Sequence, residues 1–395
     1  MSTLPDTAVN ILDELLHQAL MQGASDVHFE SGEKFFRVRF RIDGLLRIAA
    51  TPSPHLRDAV VSRLKVLARM DIAEKRVPQD GRIQHLHLDQ TIDLRVSSLP
   101  TLHGEKIVVR ILNFSCERPS LDVLGYEPDD HAKLRHAIGR PHGLILMTGP
   151  TGSGKTSSLY SCLALLNRAE VNISTVEDPS EIHLPGVNQV NINERAGLTF
   201  ATTLRALLRQ DPDVIMVGEI RDFETAEIAI QAAQTGHLVL STLHTNDAPG
   251  TLARLKHMGI AAFNVAASVS LVTAQRLVRR LCELCKSPMG TDHITALLSS
   301  LSQQERETLP ARHAMLYKAV GCEACDQGYK GRIGLYQVMP ISDAIQTLIM
   351  RDSDAQTIAA QAALEGVRTL RQAGWLKVFQ GITSVEEIMM LTPHD

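Results

Sequence analysis

Aromatic residues are scarce in this sequence of 395 residues: they make up 4 %, and there is one tryptophan. Together with a formal net charge of −4, this leaves little material for the stacking platforms and basic surfaces of nucleic-acid-binding proteins. No stretch approaches 18 uninterrupted apolar residues, and the first residues lack the basic and apolar segments of a signal peptide. We therefore expect no nucleic-acid partner, no transmembrane segment and at most a peripheral association with a membrane.

Cysteine is also scarce, and six thiols in a chain of this length do not indicate a disulfide framework. Four of them form two CxxC pairs, Cys282 with Cys285 and Cys322 with Cys325, which are typical of a structural zinc site with four thiolates. The 36 residues between the pairs exceed the usual spacing of roughly 15–20. A hairpin insert is therefore needed to bring the pairs together. Cys116 and Cys162 are predicted to be buried thiols.

The first part of the chain predicts a small α+β domain over residues 1–112. Its expected elements are a helix over 8–22, a half-buried strand from Phe36 to Ile42, a helix over 56–73 and alternating strands over 81–112. Residues 113–128 contain Pro119, Gly125 and Pro128 and are predicted to be a linker.

From residue 129 to 395 the pattern predicts an α/β domain with a parallel sheet covered by helices on both faces. The expected strands are 144–148, 172–176, 187–192, 214–218 and 238–243, and the expected helices between them are 156–166, 200–209 and 224–233. Residues 251–281 are predicted to be wholly helical, residues 282–331 to form the cysteine-bounded insert, and the last sixty residues to be rich in helix.

A phosphate-binding loop is the most specific motif in the chain. Residues Gly149, Pro150, Thr151, Gly152, Ser153, Gly154, Lys155 and Thr156 match the pattern G-x-x-x-x-G-K-[ST] between a predicted strand and a predicted helix. Glycines let the backbone N–H groups surround phosphate oxygens, and the start of the helix adds a favourable dipole. Lys155 is expected to neutralise the terminal phosphates of ATP and the Thr156 hydroxyl to bind Mg²⁺, with Ser157 completing the binding segment.

Two predicted strands end in acidic residues. Val214–Val217 leads to Glu219, which is expected near Mg²⁺ or the attacking water, because open parallel sheets bind ligands where their strands end. The earlier strand leads to Glu177 and Asp178. A carboxylate there could activate water for attack on the γ-phosphorus, but Asp178-Pro179 could equally begin a simple turn.

Histidines and arginines near these motifs have less specific patterns. His237 and His244 flank one strand at its opposite ends, so they do not share a metal; His244 is at the carboxyl end, where either phosphate sensing or a structural hydrogen bond is possible. Arg205 and Arg209 lie one helical turn apart. An arginine can stabilise a transferring phosphoryl group, although most arginines in a chain are simply solvated.

In combination, these motifs resemble the type II secretion and type IV pilus assembly ATPases of the secretion superfamily. The resemblance covers most of residues 10–390 and rests on ALMQGASDVHFE, RVPQDGRI, LMTGPTGSGKT, STVEDPSE, ATTLRALLRQDPDVIMVGEIRD, AQTGHLVLSTLHTNDA and CELC…CEAC…GYKGRIGLYQV. It implies a RecA-type ATPase domain preceded by a PAS-like domain and assembled into a homo-hexamer.

The resemblance also implies roles for individual residues. Glu177 becomes the acid that activates water, Glu219 the acid near Mg²⁺, and His237 and His244 members of the histidine box. Family arginines in or beside the site match Arg95, Arg110, Arg205, Arg209, Arg221 and Arg254, whereas Lys256 stands where members commonly have a further arginine. The four cysteines match the zinc insert of assembly and secretion members, which retraction motors generally lack.

The implied function is a motor ATPase that hydrolyses Mg·ATP to power a type II secretion pseudopilus or a type IV pilus. The implied location is the cytoplasmic face of the bacterial inner membrane, with a platform protein and a membrane-anchoring protein as partners. Members usually carry an extra N-terminal domain, and this sequence starts near the PAS-like domain. The alternatives from the residues are a nucleic-acid motor on the same core and a non-catalytic nucleotide-binding scaffold.

Overall fold

The computed structural model describes residues 7–87, 90–112, 120–290 and 315–392, together with 299, 301–303 and 306. Two compact units divide the chain, Met1–Glu117 and Arg118–Asp395, here the N-terminal and the C-terminal unit. Of the expected linker, residues 113–119 lie outside the described residues, as does Cys116, whereas Leu121 is buried in the C-terminal unit. Within the described ranges, no helix combines the length and the apolar character needed to cross a membrane.

The N-terminal unit is an antiparallel sheet of six strands in the order β3-β2-β1-β6-β5-β4, with two helices. Its elements are α1 Ala8–Met21, β1 Asp26–Ser31, β2 Phe36–Ile42, β3 Leu45–Ala50, α2 Arg57–Leu67, β4 Gln79–His87, β5 Gln90–Thr101 and β6 Gly104–Ile111. The apolar face of α1 packs against the inward-facing residues of the sheet, as the alternation predicted. The second helix ends at Leu67, six residues earlier than expected, because Arg69 takes the left-handed conformation (φ 57°) and turns the chain away.

The C-terminal unit contains a sheet of seven strands in the order β15-β12-β7-β11-β10-β8-β9. All neighbours are parallel except β15, which runs antiparallel to β12. Its strands are β7 Gly143–Thr148, β8 Ile173–Glu177, β9 Asn188–Asn191, β10 Val214–Val217, β11 Leu238–Leu243, β12 Val269–Leu281 and β15 Tyr329–Pro340, with a separate pair β13 Ser287–Pro288 and β14 Tyr317–Lys318. The α/β fold class and the five predicted strands are confirmed.

Helices cover both faces of this sheet. Those described are α3 Pro128–Ile138, α4 Lys155–Leu166, α5 Phe200–Leu207, α6 Phe223–Gln234, α7 Ala248–His257, α8 Ala262–Ser268, α9 Asp343–Met350, α10 Ala355–Leu364, α11 Leu370–Phe379 and α12 Val385–Leu391. On β7, Ile145 and Met147 pack with α3 and α4, whereas Leu144 and Leu146 point to the other face and pack with α5, α6 and α7. Because both faces are buried, β7 reads as an uninterrupted apolar run.

The prediction that residues 251–281 are wholly helical is wrong in its second half. The chain forms α7 and α8 and then the 13-residue strand β12, which pairs with β7 on one side and β15 on the other. A long strand buried on both faces lacks alternation and has the length of a helix, so periodicity does not separate the two. Sheet pairing, which depends on distant residues, decides this segment.

Candidate functional site

The phosphate loop, Gly149–Thr156, connects the carboxyl end of β7 to the first turn of α4. Gly149 is at φ 147°, and a Cβ there would lie 2.4 Å from the Gln275 carbonyl oxygen, so only glycine fits. Gly154 precedes α4 at φ 88°, and no side chain caps the first turn. The N–H groups of that turn are therefore directed to a ligand, as in phosphate sites at helix N-termini.

Two side chains of the loop fit a phosphate group. The Ser153 hydroxyl is buried and has no hydrogen-bond partner among the described residues. Lys155 Nζ donates to the carbonyl oxygens of Gly149 (2.7 Å) and Pro150 (3.0 Å), and it forms no ion pair with an acid among the described residues. Burial lowers the pKa of Lys155 to about 8. An anion in the loop would stabilise the charged ammonium, because it would replace lost hydration with an opposite charge.

The remaining loop residues lie at or near the surface. Pro150, Thr151, Gly152 and Ser157 are exposed, and Thr156 is half-buried on the first turn of α4. Thr156 directly follows Lys155, so it occupies the motif position whose hydroxyl is expected to bind Mg²⁺.

Glu219 follows β10 at the carboxyl edge of the sheet, the edge where β7, β8, β10 and β11 end. Its carboxylate accepts a short hydrogen bond from Arg221 Nη2, and His244 Nε2 lies 3.5 Å from its other oxygen. The negative charge of Glu219 partly opposes the burial that lowers the pKa of Lys155. Burial, and then the positive charge of Lys155, lower the pKa of His244. These four side chains form one electrostatic cluster beside the phosphate loop.

Glu177 ends β8, the strand next to β10, and Val176 pairs with Val217 across the two. The side chain is 4 % exposed and both oxygens accept hydrogen bonds, from Tyr160, Thr175 and Gln189. Asp178 follows at the surface, 3.8 Å from Arg221. The two predicted acids, Glu177 and Glu219, therefore meet at the carboxyl edge of adjacent strands.

The structure does not bring every predicted residue to this edge. His237 precedes β11 and bonds through Nδ1 to the Ala232 carbonyl oxygen (3.0 Å), about 20 Å along the strand from His244. Arg205 pairs with Glu224 (2.7 Å), and Arg209 donates to the Arg205 carbonyl.

Lys256 and Arg254 lie on α7, the helix that follows β11. Lys256 forms an ion pair with Asp352 (2.6 Å) and donates to the Ser353 carbonyl, so it ties α7 to the segment after α9. Arg254 lies in the last turn of the same helix. The ion pair with Asp352 gives Lys256 a single structural contact, in place of the bidentate contact that an arginine could make.

Arg95 and Arg110 lie in the N-terminal unit as cross-strand neighbours on β5 and β6. They line a shallow pocket with Asp80, Ser97 and Val108. Arg110 Nε donates to Asp26 Oδ1 (2.9 Å), whereas Arg95 forms no ion pair among the described residues. The two arginines therefore lie side by side on one face of the sheet, with the carboxylates of Asp26 and Asp80 beside them.

The four predicted zinc ligands converge. The Sγ atoms of Cys282, Cys285, Cys322 and Cys325 all lie within 4.8 Å of one another, with 3.6 Å between Cys285 and Cys325 and 3.9 Å between Cys282 and Cys322. Four thiolates about 2.3 Å from a tetrahedral zinc ion are about 3.8 Å apart, so the cluster fits the metal. The antiparallel pair β13/β14 brings the two CxxC segments together, which confirms the predicted hairpin; most of residues 291–314 lies outside the described residues.

Sequence reasoning missed Gln275, which lies on β12 in the segment predicted to be helical. Its side-chain Nε2 donates to the Ser153 carbonyl (2.8 Å) and its backbone carbonyl approaches Gly149, so β12 holds the phosphate loop in shape. Gln275 could have been placed beside the phosphate loop only if this segment had been predicted to be a strand. The donors to Glu177 were missed too, because they come from three separate elements.

Comparison with known proteins confirms the resemblance. A family model described as "Type II/IV secretion system protein" matches residues 5–390. A type IV pilus assembly ATPase PilB of Acinetobacter baylyi is 54 % identical over 97 % of this chain and 66 % of its own length. A type II secretion system ATPase E of Vibrio cholerae is 47 % identical over 97 % of this chain and 75 % of its own length. This chain thus spans about two thirds of the pilus assembly relative.

Solved structures show the same fold. A crystal structure of the pilus retraction motor PilT with bound ADP matches with a TM-score of 0.65 and 26 % identity over 97 % of both chains. The ATPase DotB of Legionella pneumophila matches with a TM-score of 0.71 and 20 % identity, over 99 % of this chain and 97 % of that one. With a family model that covers nearly all of its residues, this chain belongs to the type II/IV secretion system protein family.

Proposed function

We propose that this chain is a motor ATPase that hydrolyses Mg·ATP at the carboxyl edge of the C-terminal sheet. One observation carries the proposal: a phosphate loop with a buried, acid-free lysine lies beside two strand-end carboxylates, Glu177 and Glu219. Phosphoryl transfer needs this combination of an anion cradle, a metal-holding acid and a carboxylate that orients water. The names of the most similar relatives, which are ATPases, support the same reaction.

The proposed step divides the work among named residues. The N–H groups of the phosphate loop and Lys155 hold the β- and γ-phosphates and balance their charge. Glu177 orients a water molecule and accepts its proton while the water oxygen bonds to the γ-phosphorus. The bond from that phosphorus to the β–γ bridging oxygen breaks, ADP keeps the electron pair, and inorganic phosphate is the second product.

Two metals complete the proposal. Mg²⁺ would be held by the Thr156 hydroxyl and, through water, by Glu219, and it would supply charge stabilisation at the phosphate oxygens. Zn²⁺ would be held by the four cysteines as a structural ion, since all four ligand positions are thiolates. His244 is expected near the terminal phosphate, and Arg95, Arg110, Arg205 and Arg209 remain proposed phosphate-contacting or charge-stabilising residues. His237, at the opposite end of β11, remains a proposal from the family resemblance alone.

The proposed biological role is assembly of a type IV pilus or a type II secretion pseudopilus. We propose a homo-hexamer on the cytoplasmic face of the bacterial inner membrane, coupled to a platform protein and a membrane-anchoring protein. Support comes from the 54 % and 47 % identical relatives, whose names refer to these two machines. The two are equally compatible with the residues described above.

The test is ATP turnover by the full chain and by Lys155→Ala. We expect the variant to lose activity by at least about a thousandfold, because Lys155 supplies the charge on the terminal phosphates. Lys133→Ala on α3, where Lys133 pairs with Asp130 at 3.5 Å, is the matched control and should keep full activity. Equal phosphate release by the wild type and Lys155→Ala would refute the proposed function.

A further inference from the structure

Three side chains donate hydrogen bonds to the Glu177 carboxylate and fix its orientation. Its Oε1 accepts from the Thr175 hydroxyl (2.5 Å) and from Gln189 Nε2 (3.1 Å), and its Oε2 accepts a short hydrogen bond from the Tyr160 hydroxyl. A carboxylate offers about four lone-pair positions. Three donors therefore leave about one position for a water molecule, and they fix the direction in which it points.

Tyr160 is the donor that links this carboxylate to the phosphate loop. It lies on α4, five residues after Lys155, and its side chain is fully buried. The Tyr160 hydroxyl donates to Glu177, and its oxygen accepts hydrogen bonds from the backbone N–H groups of Glu181 (3.2 Å) and Ile182 (3.4 Å). Burial, and then the hydrogen bond to Glu177, raise the pKa of Tyr160, so the phenol stays protonated and remains a donor throughout the physiological pH range.

Gln189 makes the second link, from the edge strand β9. Its Nε2 donates to Glu177 and to the Ile182 carbonyl (2.9 Å), and its Oε1 accepts the Leu184 N–H (2.8 Å). The segment from Glu181 to Leu184 is thus tied to both Tyr160 and Gln189. The orientation of Glu177 is therefore determined jointly by the helix that begins at the phosphate loop and by the strand at the edge of the sheet.

We propose that Tyr160 is a positioning residue that orients Glu177 relative to the bound phosphates, with Gln189 as its partner. The inference rests on the proposed function, in which Glu177 activates water. Among the described residues, the Tyr160 hydroxyl forms no hydrogen bond with a phosphate-loop side chain, so Tyr160 acts through Glu177 and contributes little to nucleotide binding.

Tyr160→Phe in the full chain tests this. Removing one hydrogen bond to a carboxylate should lower kcat for ATP hydrolysis about 10- to 100-fold and leave KM for ATP unchanged. Gln189→Leu should shift kcat in the same direction, and it replaces Tyr160→Phe if that variant fails to fold in thermal unfolding.

Tyr336→Phe is the matched control. Tyr336 is buried in the same core as Tyr160, and its hydroxyl donates to the Leu124 carbonyl (3.3 Å), not to an acid of the site. Its loss should leave both kcat and KM for ATP unchanged. A general effect of deleting a buried hydroxyl would instead lower both tyrosine variants alike, which would contradict the proposal.

A double-mutant cycle with Glu177→Gln completes the test. If Tyr160 acts through Glu177, Tyr160→Phe should not further reduce the residual rate of Glu177→Gln. The inference would be overturned if Tyr160→Phe lowered kcat equally in the wild type and in Glu177→Gln, or if Tyr160→Phe alone kept the wild-type kcat. In either case, an inactive Glu177→Gln would still support the proposed function. Wild-type turnover by Glu177→Gln would instead overturn the assignment of Glu177 and, with it, the inference.

Discussion

The cysteine cluster and the carboxyl edge of the sheet are both sites in the C-terminal unit, yet they are built differently. The four thiols already lie at the separations of a tetrahedral zinc site. At the carboxyl edge, Lys155 is turned onto loop carbonyls and Glu219 onto Arg221. A structural metal site is thus closed in advance, whereas a site for a transient ligand holds its charged groups in contacts that the ligand can replace.

Among the changes that compare the two sites, Glu219→Gln at the carboxyl edge of the sheet, the open site, should have the largest effect. Loss of the carboxylate that we place near Mg²⁺ should lower kcat about 100- to 1000-fold, because it removes a metal-holding charge. The measurement is steady-state phosphate release across a magnesium titration, where the variant should also need more Mg²⁺. Unfolding midpoints should match the wild type, since Glu219 pairs mainly with Arg221, whose side chain is more than half exposed to solvent.

Glu170→Gln, an exposed acid after α4, is the control for that substitution and should leave turnover unchanged. A Glu219→Gln variant with normal turnover and normal magnesium dependence would remove Glu219 from the open site. Inactivity of Glu219→Gln that is caused only by unfolding would also contradict the comparison. We expect the cysteine cluster to contribute to stability and Glu219 to contribute to catalysis.

Metal removal should have an intermediate effect, and on stability rather than directly on chemistry. We expect one zinc per chain by elemental analysis, bound to Cys282, Cys285, Cys322 and Cys325. Chelation, or Cys325→Ser, should lower the thermal unfolding midpoint by several degrees, because about 2–4 °C is lost per kcal/mol in a unit of this size. A metal-free protein with reducible disulfides between these cysteines would contradict the account of the cysteine cluster as a closed site.

The smallest effect should come from His244, which is half exposed. Burial, and then the positive charge of Lys155, lower the pKa of His244 below 6.5, so the ring is neutral at pH 7 and gains a proton only in more acidic solution. The folded state binds fewer protons than the unfolded state just below pH 6.5, so this residue makes stability fall as the pH falls.

His244→Gln should therefore lose less stability than the wild type between pH 7 and 5.5 in denaturant titrations. The difference should stay below about twofold in the unfolding equilibrium constant, because solvent screens an exposed group. A larger loss of stability in the variant than in the wild type over this range would reverse the sign and contradict the assigned pKa direction.

The pattern along the sequence predicted the parts of the fold that local residues determine. Gly149 to Thr156 predicted the loop, and the apolar run before it predicted β7, because each carries its own signal. The strand β12 was missed because the residues it pairs with on β7 and β15 lie at least 48 residues away along the chain. Gln275 could not be predicted without that pairing.

The candidate site was likewise only partly predictable. Strand ends placed Glu177 and Glu219 at one edge, since parallel strands end together. The partners of Glu177 come from α4, β8 and β9, and nothing in the local sequence of Tyr160 or Gln189 marks them as its donors. The helix position of Arg205 likewise gave no sign of its ion pair with Glu224.

Binding of a non-hydrolysable ATP analogue with Mg²⁺, measured by calorimetric titration of the full chain, tests most directly whether the carboxyl edge is a nucleotide site. The account predicts saturable binding by the wild type and an affinity at least about tenfold weaker for Lys155→Ala, with both proteins folded. A folded wild-type protein with no affinity for the analogue, or equal affinity in the two proteins, would contradict it.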